Sequence, residues 1–325
     1  MPHWTGRSPY TQPNVKKGRS AMAVMRMGYM HVKVTDLAEA KQHYGNTVGL
    51  YQTLEQDGKV YYKGWDEWDH HSVVIEEGGV GYVKCGFKCE KPEDVADIET
   101  KAVAYDYPVE RMVAGENPEV GDGIRVTLPS GHKIEFYSQM TSWGLEVGTH
   151  NPDSFPRHLV GIGAPRLDHA LLWVDDVAGI EKFFVDCVGM WATERVRTSL
   201  DDDAHTIATW LTIGESNHDI ALLEAPENKI HHFAFEMRGW SDILHAADIF
   251  AMDDTPIDIG PTRHGITRGT TIYFFDPSGN RKETFSGGYR CFRDRPTVTW
   301  TPDQLGKAIF YHSRELNERF LTVAT

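Results

Sequence analysis

Residues Leu167–Met190 read LDHALLWVDDVAGIEKFFVDCVGM. The opening LDHALLWV is apolar and rich in branched and aromatic side chains, so it reads as a strand. An acidic cap, an amphipathic helix and a Val-Gly-apolar ending follow. The same plan lies upstream. GYMHVKV at Gly28–Val34 alternates as a strand, and TDLAEAKQHYGNTVGL at Thr35–Leu50 supplies the helix. Thr35 or Asp36 can cap that helix, Leu37, Ala40 and Tyr44 line its apolar face, and Gly49 ends it. Val48-Gly49-Leu50 and Val188-Gly189-Met190 are 140 positions apart (49 against 189). Placing His31 on His169 gives 138 (31 against 169), which implies two inserted residues at the end of the first strand.

A second repeat is cleaner. Pro129-Ser130-Gly131 followed by Glu135 matches Pro277-Ser278-Gly279 followed by Glu283, 148 positions on (135 against 283). GYVKCGFKC, from Gly81, lies on KIHHFAFEM, from Lys229, at that same spacing, and Asp94 meets Asp242. Further strands, VYYKGW and SVVIEE, complete the first unit. The duplication therefore predicts an α+β chain of four βαβββ modules, two per domain, each pair forming a cupped sheet. The expected division is a mobile extension over residues 1–21, a two-module domain over 22–150 and a catalytic two-module domain over 151–290. A tail over 291–325 is expected near the mouth of the site. Loop-rich HNPDSFPRHLVGIGAP, from His150, is the expected join.

Composition narrows the function. A net charge of −14 argues against nucleic acid, which needs a basic footprint. No apolar run reaches the roughly 20 residues of a membrane span. Residues 1–21 hold basic side chains but no apolar segment, unlike a secretory signal. Cys85 and Cys89 sit about 13 Å apart if on one strand, too far to pair. Reduced cysteines and a cytoplasmic location are the expectation.

Side chains alternate along a strand, so every second residue looks into the cup. In LDHALLW that set is Leu167, His169, Leu171 and Trp173. In IHHFAFE only one of His231 and His232 can face inward, and the repeat selects His232. Tyr273 and Glu283 flank the turn Asp276-Pro277-Ser278-Gly279, which joins two strand-like runs into a hairpin. His169, His232 and Glu283 then converge. Two imidazoles and one carboxylate on one face of a metal leave the other face open, the arrangement of non-haem Fe(II) oxygenases. Taken singly, a strand histidine such as His169, His218 or His264 is an ordinary core or rim residue. The Asp201–Asp203 run reads as a solvated loop. The duplication supplies an internal control. The first half keeps His31 and Glu135 but has Lys84 for His232, Glu116 for His264 and Arg125 for Tyr273. An ammonium has no lone pair for a metal, so the first half reads as scaffold.

The run Thr262-Arg263-His264, seven residues, Ile272-Tyr273, two residues, Asp276-Pro277-Ser278-Gly279, three residues, Glu283 resembles the signature of type I extradiol ring-cleavage dioxygenases. These are catechol 2,3-dioxygenases of the vicinal oxygen chelate (glyoxalase-like) superfamily. The likeness spans roughly residue 25 to the C-terminus. It takes in SDILHAADIFAMDDTPIDIGPTRHG and the tail from Val298. The resemblance implies that His169, His232 and Glu283 are Fe(II) ligands. It implies that His218 is the acid/base that meets oxygen; as a cation during turnover it would stabilise developing negative charge and then donate a proton. His264 and Tyr273 would sit at the substrate hydroxyls, and Trp210 would line the aromatic pocket. Catechol or a substituted catechol and O2 are the implied partners, and a homotetramer the implied assembly. Two alternatives on the same module are a glyoxalase-like metal isomerase and a ligand-sequestering resistance-type protein. Lys84 and the His264/Tyr273 pair weigh against the first. The number of converging polar groups weighs against the second.

Overall fold

Four repeats of one strand-helix-strand plan build the chain. The computed structural model describes residues 24–226 and 228–325, so the extension expected over residues 1–21 lies outside the described residues. The first module is β1 (Val24–Val34), α1 (Leu37–Gln42), β2 (Tyr51–Gln56), β3 (Lys59–Lys63) and β4 (Val73–Glu77). The second is β5 (Gly81–Cys89), α2 (Pro92–Ala104), β6 (Val109–Met112), β7 (Gly123–Thr127) and β8 (Lys133–Tyr137). The third is β9 (Arg166–Val174), α3 (Val177–Phe183), β10 (Trp191–Arg197), β11 (Thr206–Thr212) and β12 (Ile220–Glu224). The fourth is β13 (Lys229–Glu236), α4 (Trp240–Met252), β14 (Ile257–Arg263), β15 (Gly269–Phe275) and β16 (Arg281–Gly287). The tail adds β17 (Val298–Trp300), α5 (Leu305–Ile309) and α6 (Glu318–Thr322).

The modules pair into two sheets of one topology. The first runs β2-β3-β4-β1-β5-β8-β7-β6, and the second repeats it as β10-β11-β12-β9-β13-β16-β15-β14, with β17 added beside β10. The helix starts expected from acidic caps form as such. Asp36 accepts from Glu39 N–H at 2.9 Å and Asp176 from Gly179 N–H at 2.8 Å. Each of α1 and α3 widens into a π-helical turn, and Gly49 and Gly189 close the pair at φ 78° and 86°, which glycine adopts without strain. One face of the sheets carries the main core. There α4 packs Ile243, Ala246 and Phe250, and the Phe250 and Phe274 rings stack at 4.1 Å.

Strand register corrects three expectations. β5 and β13 align at 148 through their pairing with β8 and β16, where Gly86 faces Glu135 and Ala234 faces Glu283. Across β1, Met30 faces Cys85 and His31 faces Lys84; across β9, Ala170 faces Phe233 and Leu171 faces His232. The first strands are therefore 140 apart throughout (30 against 170), with no insertion. Tyr29 occupies the place of His169, and His31 that of Leu171. Second, a bulge between Leu167 and Ala170 turns Leu167 to the opposite face from His169, into the main core. Third, a bulge between Ile230 and His232 breaks alternation, so His231 and His232 both face the cavity of the second sheet.

The Asp276–Asn280 turn joins the two halves as well as its own strands. Asp276 Oδ1 accepts from the amides of Ser278 at 3.0 Å and Asn280 at 2.8 Å, while Tyr44 Oη donates to its Oδ2 at 2.9 Å. Asn280 Nδ2 donates to the Lys33 carbonyl at 2.9 Å. The strand that carries Glu283 is thereby fastened at its start.

Candidate metal centre

The second sheet brings His169 (β9), His232 (β13) and Glu283 (β16) together, all buried. Their donor atoms lie within 4.8 Å of one another, the one such group of three or more His, Cys, Asp or Glu among the described residues. Glu283 Oε2 is 3.1 Å from His169 Nε2 and 3.2 Å from His232 Nε2. Ligands about 2.1 Å from a metal and at right angles are about 3.0 Å apart. The spacing fits neighbouring positions on one ion. Asp168 Oδ2 accepts from His169 Nδ1–H at 2.6 Å, which directs Nε2 inward, where a metal would take the place of its proton.

Electrostatics favour a cation here. Burial works against charge on His169, yet Asp168 and Glu283 outweigh it and push it up to about 9. Burial likewise works against charge on Glu283, but its close contacts with the imidazoles of His169, His232 and His264 hold it well below the usual carboxylate range. A soft thiolate is absent from the set, and mixed imidazole and carboxylate donors suit a first-row divalent metal.

The remaining expected residues surround this trio. Tyr273 sits directly opposite Glu283 in the hairpin and its Oη lies 3.1 Å from His264 Nε2. His264 Nε2 is 3.3 Å from the other oxygen of Glu283, and its Nδ1–H donates to the Ile309 carbonyl at 2.5 Å. The His218 ring lies 3.9 Å from that of His169, centre to centre, and its Nδ1 is buried with no partner. Burial, then charge on His169, holds His218 well below its ordinary value.

A cavity of about 90 Å³ joins these groups. That is on the scale of one ring, well below the ~300–1,000 Å³ of drug-sized pockets. Leu171, Ala208, Trp210 and Phe285 are among its walls. Trp173 belongs to the same apolar cluster as Leu171 and Trp210 but does not line the cavity. The tail closes the cavity with Leu305, Ile309, Leu316 and Phe320. Sequence reasoning missed the tail carbonyls and His231, because backbone acceptors and bulges leave no side-chain pattern.

The first sheet holds a different network at the equivalent place. Glu135 Oε1 accepts from Lys84 Nζ at 3.1 Å and Arg125 Nη2 at 2.6 Å, and Oε2 accepts from Asn117 Nδ2 at 2.8 Å and from Tyr29 Oη. Of the three metal positions only the carboxylate remains, and donors already fill it. His71 matches His218 (Val73 and Ile220 share a register), and Tyr61 matches Trp210. His31 stands beside Glu76 at 3.0 Å, in the place of Leu171 and next to Lys84 across the sheet.

Comparison with known proteins identifies the family. Residues 166–284 match the model of the Glyoxalase/Bleomycin resistance protein/Dioxygenase superfamily, and residues 84–141 that of the catechol 2,3-dioxygenase-like N-terminal domain. The chain belongs to the catechol 2,3-dioxygenase family of extradiol enzymes, within that superfamily. It is 42% identical to the metapyrocatechase of Pseudomonas sp. (strain CF600), over 96% of this chain and 100% of that one. The structure of the 2,3-dioxygenase LapB from Pseudomonas sp. KL28 superposes with a TM-score of 0.83 at 41% identity, covering 87% of this chain and 99% of that one. A manganese-dependent 2,3-dihydroxybiphenyl 1,2-dioxygenase from Geobacillus genomosp. 3 is 28% identical over 90% of this chain and 95% of that one. Among the described residues no helix is long and apolar enough to cross a membrane.

Proposed function

We infer that the chain is an extradiol ring-cleavage dioxygenase that opens catechols with O2 to 2-hydroxymuconate semialdehydes, and that its metal is Fe(II). The observation that carries this reading is the one-sided donor set of His169, His232 and Glu283 inside a small apolar cavity. Protein groups that filled every coordination position would leave no room for a diol and O2. When bound, Fe(II) supplies a Lewis acid that makes the diol more acidic and a route for ring electrons to O2.

The residues do the rest. Donation of His264 Nδ1–H to Ile309 leaves Nε2 as an acceptor, and Tyr273 Oη is within reach of it. Together they form the polar edge where a substrate hydroxyl can shed its proton. His218, buried and with an unpartnered nitrogen beside His169, is suited to take a proton and return it later in the cycle. Leu171, Trp210 and Phe285 exclude water and hold a flat ring in line with these groups. The two-domain division at residue 150, a cytoplasmic location and a homotetramer form part of the same proposal.

The test is catechol under air with the iron-loaded protein. A yellow ring-opened semialdehyde, with one O2 consumed per catechol, supports the reading. Cleavage between the two hydroxyl-bearing carbons, or no oxygen uptake, contradicts it. The manganese-dependent relative makes Mn(II) the informative parallel, and light scattering gives the assembly state.

A further inference from the structure

His231 has no role in the reading above, yet it is buried between a ligand and the tail. Its Nδ1 lies 2.6 Å from Nδ1 of His232, and its Nε2 lies 2.7 Å from the carbonyl oxygen of Phe320 in α6. The Phe320 ring meets it edge-on at 4.6 Å and Trp173 covers it at 5.9 Å, so the imidazole is held from three sides.

Donor and acceptor roles along this chain follow from its far end. A carbonyl oxygen only accepts, so His231 Nε2 carries a proton and donates it. In a neutral imidazole the other nitrogen then has the lone pair, so His231 Nδ1 accepts. His232 Nδ1 must therefore carry a proton, which leaves the His232 Nε2 lone pair directed at Glu283 and the metal position. Asp168 does the same for His169, but from one residue away in sequence. For His232 the order originates 88 residues downstream (232 against 320), in the tail.

We propose that His231 is a positioning residue that relays a tail carbonyl to the ligand His232, fixing its tautomer and ring orientation, so that the C-terminal helix is part of the metal centre. The proposal rests on the reading of His232 as a ligand. The first sheet supports it by contrast. The same bulge occurs there, with His31 facing Lys84 and Val32 facing Tyr82, and the extra residue is Val83. The half without imidazole ligands thus carries an apolar side chain where the other half carries His231. The bulge explains how two successive residues reach one cavity, a placement that plain alternation forbids.

The experiment uses the full-length chain as wild type, His231→Leu and His231→Gln. Leucine breaks both contacts. Glutamine can accept from His232 with Oε1 and donate to Phe320 with its amide. Iron affinity is read by competition with a chelator, and the melting temperature of the metal-free protein is followed alongside. The expected result is Fe(II) affinity about 10- to 100-fold weaker in H231L, the range for a lost ligand partner, with most of it restored in H231Q. H231L with wild-type iron affinity overturns the relay, as does equal loss in both variants. Wild-type protein that binds no divalent metal sinks the ligand reading and the relay with it. Nitrogen-15 spectra of the wild type loaded with Zn(II) decide the matter without a variant. A protonated Nε2 on His231 and a protonated Nδ1 on His232 are predicted, and the opposite tautomer of His231 overturns the proposal.

Discussion

Tyr29 stands in the first sheet where His169 stands in the second, and each reaches the carboxylate of the partner module, Glu135 or Glu283. The two halves share a frame but differ in chemistry. In one, a phenol, an ammonium and a guanidinium converge on the acid. In the other, imidazoles do. The difference between scaffold and catalyst therefore lies in a few side chains at matched positions.

This relationship predicts one metal ion per chain. Lys84→Ala leaves iron content and turnover at wild-type levels but lowers the melting temperature. Breaking a buried ion pair costs about 3–5 kcal/mol, and less here because Arg125 still contacts Glu135. Metal analysis and a thermal melt check both parts. A second equivalent of iron, or lost activity with unchanged stability, would contradict the scaffold reading.

His218→Ala is expected to bind iron and catechol as before while turnover falls by about 10²–10⁴-fold, the usual contribution of a positioned acid/base. Binding is followed by anaerobic titration with catechol and turnover by oxygen uptake. Near-normal turnover would remove His218 from the mechanism.

Glu283→Ala removes the carboxylate that His169 and His232 both face. Iron affinity should drop by at least about 100-fold, beyond what loss of an outer partner costs. Retention of a full equivalent of iron after gel filtration would exclude Glu283 from the ligand set.

Stability should fall with acid for a reason located away from the metal. Burial pushes His43, His71 and His132 down to about 2, 3 and 4. Below pH 6.5 the unfolded chain takes up protons that these folded histidines refuse. The unfolded state thus gains protons the native state lacks, and stability declines as pH drops from about 6.5 towards 4. Each group contributes up to about 1.4 kcal/mol per pH unit. Urea midpoints at pH 7.0, 6.0 and 5.0 should decrease in order, and a flat series would contradict the burial of these imidazoles as neutral groups.

Much of this was legible in the residues. The repeated strand, capped helix and Val-Gly ending predicted four modules, and the turn between Tyr273 and Glu283 pointed to one hairpin. Tyr273 does face Glu283 across it. Part of what stayed hidden traces to bulges. Bulges shift a strand by one residue and leave no trace in an alternating pattern. They turned Leu167 away from the cup and allowed His231 in beside His232, whereas His31 looked like the partner of His169 only because two histidines two positions out of register were matched by type. The carbonyls of Ile309 and Phe320 were equally invisible, because any residue supplies a carbonyl and only the path of the tail aims it.

Anomalous diffraction at the iron edge from crystals of the loaded protein tests the central claim most directly. A single peak per chain is predicted, within bonding distance of Nε2 of His169, Nε2 of His232 and the Glu283 carboxylate, with no other protein atom bound. A peak elsewhere, or one that also bonds His218 or His264, would contradict it.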